Sequence, residues 1–422
     1  MGVEFKRKKE VRALLEARGN GKIKVIEGLR QVGKSYLLKT LFHRELLRLG
    51  VKESQIAVLD FLIDDEEIRD APSLKAKVRE LLKGGEVAYL FMDEVQLVEG
   101  YGEALKTLRC QNPGVDIYVT GSNSKTLSKD IEREIGAEES CEILLRPLSY
   151  KEIKEDWPSF SFEDYFSLGG IPKVLLAESE AKRTEIFTSL YRDTYVKDIL
   201  SKSKDLLNIG ENEKRMILQR VFDTTSTGVS LKSIVKEINA DNRAESKSST
   251  AIHADVDTFF ERLSDSFLFE RMGEDSSKAK QGRKGHIERR GKCYCEDPGL
   301  LRFASHSYDR DSDVLENIVF SHLLSKGLSP VSLKFDYFDP LIREECMNRE
   351  IDFYFEKDGE GYLVQVVLAL YGGNAYQREV HNLLFAKKDG RKMLVYLSDN
   401  SGDHPDADSI EFVPVEEFLL KF

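Results

Sequence analysis

Cysteine is scarce in this chain of 422 residues. Cys110, Cys141, Cys293, Cys295 and Cys346 are too few and too scattered to staple a small secreted fold, which fits a reducing, cytoplasmic setting. Cys293-Tyr294-Cys295 lacks the second pair or histidine cluster that would complete four zinc ligands, so it is read as strand. The 10 prolines and 29 glycines are ordinary usage or below, and no long stretch is both polar and poor in apolar residues, which excludes extended disorder. No apolar run approaches the length that spans a bilayer. The N-terminal stretch MGVEFKRKKEVRALLEARGN carries charge where a signal peptide has its apolar core, and Lys6 stands where a myristoylation signal wants Ser or Thr. No membrane partner is expected. Positive charge is short as well: 63 Lys and Arg against 74 Asp and Glu give a net −11, so a nucleic-acid contact would need a local basic patch.

What is present is enough apolar residue, 41%, to build several cores at this length. Up to about residue 150, short apolar runs alternate with amphipathic stretches, which predicts an α/β fold with a parallel sheet between helices. The strands are expected at Lys24 to Glu27, Ile56 to Phe61, Val87 to Met92, Asp116 to Thr120 and Glu142 to Leu145. From Pro147 to about Leu206 the spacing is helical throughout. Three further helices, within Glu211 to Asp223, Leu231 to Asn239 and Thr250 to Ser264, precede a strand at Phe267 to Arg271, a basic loop and a return strand at Cys293 to Cys295, a pattern that matches a winged helix-turn-helix. A helix at Asp313 to Lys326 then opens a small mixed α/β domain with strands near Val331 to Tyr337, Glu350 to Glu356, Gly361 to Leu368 and Lys392 to Leu397 and a helix at Asn374 to Lys387.

The most informative string is GLRQVGKS, Gly28-Leu29-Arg30-Gln31-Val32-Gly33-Lys34-Ser35, directly after an apolar strand and directly before an amphipathic helix opening at Tyr36. Glycines let backbone amides wrap phosphates, Lys34 suits the β and γ phosphates of ATP, and Ser35 suits magnesium. VAYLFMDEVQ supplies a second apolar strand ending in Asp93 and Glu94, at the end of a parallel strand where such sheets bind ligands. Asp93 is expected in the magnesium shell and Glu94 as the base that polarises water. A third strand ends in VTGSNS, where Asn123 or Ser122 is placed to contact the γ phosphate or orient water.

These strings, with RPLSYKE at Arg146 to Glu152, GGIPKVL at Gly169 to Leu175, YRDTYVKDI at Tyr191 to Ile199, LENIVF at Leu315 to Phe320 and REIDF at Arg349 to Phe353, resemble the prokaryotic AAA-like ATPases that carry a winged helix and a restriction-endonuclease-like C-terminal domain of uncharacterised function. The resemblance covers nearly the whole chain. It implies an ATPase core at 1–146, a helical lid at 147–206 with Gly169, Gly170 and Pro172 in its turn, a winged helix at 207–305 and an endonuclease-like domain at 306–422. The implied function is a magnesium-dependent ATP-binding and ATP-hydrolysing switch that engages DNA or a protein partner. An ATP-regulated nuclease and a signalling or chaperone-like ATPase that does not bind DNA are the alternatives. The family's Gly-Arg pair before Pro-Leu-Ser is missing from GAEESCEILLRPLS, which leaves Arg146, Arg192 and Arg30 open as the charge-stabilising arginine.

The basic loop, from Lys278 through Lys280, Arg283, Lys284, Arg289 and Arg290 to Lys292 with one acid, Glu288, is the candidate DNA contact. In the C-terminal domain the resemblance places Glu316 and Asp352 as acids, but Gln365 stands where the next acid belongs and Val367 where the lysine belongs. Lys357 is the nearest alternative. An amide is a weaker magnesium ligand than a carboxylate, and valine cannot stabilise developing charge, so this domain is expected not to cut nucleic acid.

Overall fold

The computed structural model describes residues 2–63, 68–121, 126–196, 199–200, 203–227, 231–241, 249–276, 292–305, 310–339, 343–370, 374–399 and 409–422. It divides into two compact units. The first holds Met1–Leu148, Ile171–Ile186 and Asp265–Phe267; the second holds Ser149–Gly170, Phe187–Ser264 and Leu268–Phe422.

The first unit is built on a parallel sheet of β1 (Ile23–Glu27), β2 (Ile56–Asp60), β3 (Tyr89–Asp93), β4 (Asp116–Thr120) and β5 (Ser140–Leu144), in the order β2-β3-β4-β1-β5. β1 and β3 are buried along their whole length, as strands covered by helices on both faces must be; β3 accordingly reads as an apolar run up to Asp93, while β1 is mostly apolar but carries the buried Lys24 and Glu27. One face packs Ile23, Val25, Leu90, Met92, Ile117 and Val119 against Leu105, Leu108 and Ile131. On the other, Phe42 lies 5.8 Å from Phe91 and 4.9 Å from Tyr118 between ring centroids, which seats the helical run after β1 on the sheet. That run is Lys34–Tyr36, Leu37–Phe42 and His43–Arg48, the middle part with π-helical bonding. The buried Lys24 pairs with Asp116, which also accepts a 2.8 Å bond from the Tyr118 hydroxyl.

The second unit opens with helices Tyr150–Asp156 and Phe162–Leu168. Both start with a capping box, in which Ser149 or Ser161 accepts from the backbone of Glu152 or Asp164 and the acid reaches back. The helices Glu211–Asp223, Leu231–Asp241 and Ser249–Asp265 and the antiparallel pair β6 (Phe269–Arg271) and β8 (Cys293–Cys295) lie close to where the hydrophobic pattern puts them. The hairpin is not a simple wing, however. Between its strands β7 (Gly273–Ser276) leaves to pair with β9 (Val331–Asp339) in a different sheet. That sheet continues with β10 (Glu344–Lys357), β11 (Glu360–Leu370), β12 (Arg391–Asp399) and β13 (Ile410–Pro414), in the order β13-β12-β11-β10-β9-β7. β10 is antiparallel to both neighbours, while β11, β12 and β13 run parallel.

Asp297 ties two parts of this unit together. Its carboxylate caps the helix Pro298–Ala304 through Leu300 N at 2.9 Å and accepts from Gly170 N at 2.7 Å, while burial pushes its acid up to about 6. Gly169 has φ 71° and ψ −155°, a region closed to side chains, and a Cβ there would lie 2.3 Å from the fixed Asp297 Oδ1. Gly169→Ala is therefore expected to destabilise the protein by about 2–4 kcal/mol. Chemical unfolding measures this, and an unchanged midpoint would show that the Gly169–Asp297 contact is not fixed.

Candidate functional site

All five strands of the first unit are parallel, so the ends of β1, β3 and β4 open on one edge of the sheet. Gly28 to Ser35 follow β1 there. A Cβ on Gly28, whose φ is 143°, would sit 2.0 Å from the Leu145 carbonyl oxygen, so only glycine lets the loop pass this close to the chain after β5. Glu27 accepts from Ser128 N at 2.8 Å, and the buried Arg7 donates to the Val32 carbonyl at 3.1 Å. Both bonds hold the loop from its flanks. Gln31 takes a left-handed φ of 62°. Leu29 and Val32 are buried, and Arg30 and Gly33 are partly exposed. Tyr36 turns outward, its hydroxyl 2.6 Å from Glu4.

Lys34 is 5% exposed, and its ammonium donates to the Gly28 and Leu29 carbonyls at 2.8 and 2.9 Å. Burial lowers it to about 8, against the pull of Glu94. Ser35 Oγ donates to Asp93 Oδ1 at 2.9 Å, and Thr120, at the end of β4, donates to the same oxygen. Lys39, one turn further along the helix, sits 2.6 Å from Asp93 Oδ2 and 2.5 Å from Asp60 Oδ2. Asp93, 1% exposed, is thereby matched on both oxygens. Glu94 follows with φ 60°; its backbone N–H donates to Thr120 Oγ1 at 3.0 Å, and the Gln96 amide donates to its carboxylate. The structure thus brings Lys34, Ser35, Asp93 and Glu94 to one edge. Asn123 and Ser122 lie outside the described residues. Sequence reasoning missed Arg7, Lys39, Asp60, Gln96 and Thr120; the acidic ends of two adjacent strands were the only signal for Lys39.

The second unit holds another charged cluster. Glu316, on the helix Asp311–Ser325, and Asp352, on β10, both pair with Lys292. Gln365, in the neighbouring strand, accepts from Asp352 N at 2.5 Å and donates to Glu379 on the helix Asn374–Phe385. Val367 is core. Lys357 is elsewhere, with its nitrogen 4.0 Å above the Phe422 ring. The lysine of the cluster is Lys292, which the basic-loop reading had given to DNA; its side chain is 12% exposed and its charge is used inside the protein. The rest of that loop, 277–291, lies outside the described residues. Cys293 and Cys295 are buried strand residues of β8.

Comparison with known proteins bears on the first of these clusters. The model of an AAA domain matches residues 20–154, and that of a domain of unknown function matches residues 159–310. An uncharacterised protein of Haemophilus influenzae is 26% identical over 98% of both chains, and one of Methanocaldococcus jannaschii is 25% identical over 87% of this chain and 79% of its own. Among solved structures, a Walker-type ATPase of Pyrococcus abyssi is similar at 14% identity and TM-score 0.44, covering 71% of this chain and 96% of that one. Cdc6p of Pyrobaculum aerophilum is similar at 11% and 0.29, covering 74% and 94%. These two scores are too low to carry an argument. The AAA match, taken with a five-stranded parallel sheet and a glycine-lysine-serine loop after its β1 strand, supports an AAA-like P-loop fold for residues 20–154.

Proposed function

We propose that this domain binds ATP with magnesium and hydrolyses it, and that the chain is a switch whose winged-helix (207–305) and endonuclease-like (306–422) parts engage DNA or a protein partner. The observation that carries the reading is Lys34. Its ammonium donates to two loop carbonyls, and burial, which outweighs the pull of Glu94, Asp93 and Glu27, lowers it to about 8. The unfolded lysine keeps its proton to about 10.5, so the charge costs the native state about 3 kcal/mol at neutral pH. That cost fades as pH rises through 8. Phosphate oxygens at the loop would offset it at neutral pH.

The residues also suit the metal. Ser35 and Asp93 offer two hard oxygens 2.9 Å apart, the donor type magnesium prefers. Magnesium, when bound with ATP, supplies charge neutralisation between phosphates. Glu94, held by Gln96 and one residue beyond Asp93, is positioned to take a proton from water. The DNA reading rests on the basic composition of 278–290, and the protein-partner reading on the acidic remainder of the chain. The C-terminal sheet, with Gln365 and Val367 at two positions of the site, serves in this proposal as a structural or docking module that does not cut nucleic acid.

Lys34→Ala is expected to lower ATP affinity at least tenfold in a nucleotide titration, and unchanged affinity would remove Gly28 to Ser35 from the site. Glu94→Gln should keep ATP bound while phosphate release slows by about two orders of magnitude or more; a wild-type rate would place the base elsewhere. Neutralising Arg283, Lys284, Arg289 and Arg290 together should weaken binding to duplex DNA and flatten its salt dependence. Absence of DNA affinity in the wild-type protein at low salt would leave the protein partner.

A further inference from the structure

Lys292 ends the basic run, yet its side chain is turned into the protein. Its Nζ lies 2.9 Å from Glu316, 3.2 Å from Glu350 and 3.5 Å from Asp352. Tyr294, two residues on and so on the same face of β8, donates to Glu316 Oε1 at 2.7 Å and stacks on Phe320 at 4.1 Å. Asp352 is further anchored by Val366 N at 3.0 Å, and the pairing of β9 with β10 shifts register between Ile351 and Tyr354, around the residue that must be aimed inward. Three carboxylates from a helix and a strand thus converge on one nitrogen, walled on one side by aromatic rings.

We infer that Lys292 is a tethered substitute for a divalent cation: its ammonium fills a carboxylate site that would otherwise take Mg2+ or Mn2+, and so makes the C-terminal sheet independent of metal.

Carboxylates gathered this closely cannot all ionise without a cation between them. A single ammonium satisfies their geometry through its three donors but matches only part of their charge. Burial and the neighbouring acids accordingly push Glu316 and Asp352 up, and the buried Glu350 Oε1 has no hydrogen-bond donor, only the ion pair to Lys292. The oxygens stand at ammonium distances, 2.9 to 3.5 Å, well outside the roughly 2.0–2.1 Å of a magnesium shell. As placed around the ammonium, the three acids are not themselves spaced to hold a metal, and neither is any other group of His, Cys, Asp and Glu among the described residues. Removing the ammonium leaves an excess of buried negative charge, which is the condition under which a hard divalent ion competes.

The test uses the full chain without nucleotide, with free Mn2+ followed by electron paramagnetic resonance and stability by thermal unfolding. Wild type and Lys292→Arg should take up no Mn2+ in a manner that depends on Asp352. Lys292→Met should melt at a lower temperature, recover at least half of that loss with Mn2+, and bind one additional Mn2+ that Asp352→Asn in the same chain abolishes. The inference is overturned if folded Lys292→Met shows no Asp352-dependent uptake, or if the wild type already shows it. Should Lys292→Met not fold in metal-free buffer, it is prepared in Mn2+: folding there supports the inference, and failure there as well overturns it.

Discussion

Asp93 is the charge on which the first unit's loop edge depends. A carboxylate this buried must have its lone pairs and its charge met. The partners come from three elements: Ser35 from the loop helix, Thr120 from the end of β4, and Lys39 with its second acid Asp60 at the end of β2. The requirement therefore fixes the start of the helix against the sheet, and with it the loop between. Phe42 on Phe91 and Tyr118 supplies the apolar counterpart from the same helix. The pairings in which Asp93 takes part and the packing of Phe42 thus hold the same helix to the same sheet.

Both units solve the problem of buried carboxylates with a lysine, but the two solutions differ in kind. Lys39 serves Asp60 and Asp93 from the helix that follows the loop, beside a hydroxyl-carboxylate pair and a second lysine, Lys34, whose own charge is poorly met. Lys292 serves Glu316, Glu350 and Asp352 and is held above its ordinary value: burial alone would lower it, but the three carboxylates more than compensate. Burial outweighs the acids around Lys34, while the acids around Lys292 outweigh burial.

How much of this could be read in the sequence follows from where the signal is local. β3 was legible because full burial writes a continuous apolar run, β1 from Ile23, Val25 and Ile26 despite its Lys24, and the loop because glycine, lysine and serine must stand at fixed spacing. The alternation of β10 and β11 made the shared face of Asp352 and Gln365 readable, whereas Glu316, on a helix, was placed by the resemblance alone. By contrast β7 is GEDS, with no apolar residue; it joins the sheet by backbone bonds at an edge, and nothing in its composition announces a strand. Lys292 could not be assigned because its partner Glu316 is 24 residues away and the sequence before it reads as an ordinary basic stretch. Lys39 reads as a solvated helix position until β2 and β3 are known to be neighbours. The sequence reports what each residue needs within its own element, and says little about charges that are balanced across elements.

The bond from Arg7 to the Val32 carbonyl bears on where the folding unit starts. The likeness to an AAA domain begins at residue 20, but the loop it contains is propped from residue 7, ahead of the helix Lys8–Glu16. Arg7 is 6% exposed and itself takes a left-handed φ of 46°, so its position is built in rather than incidental. A fragment trimmed to the recognisable domain would keep every signature residue and lose the support of the loop between them. Family boundaries drawn on likeness mark what is shared between chains; the piece that folds around this loop is longer than that.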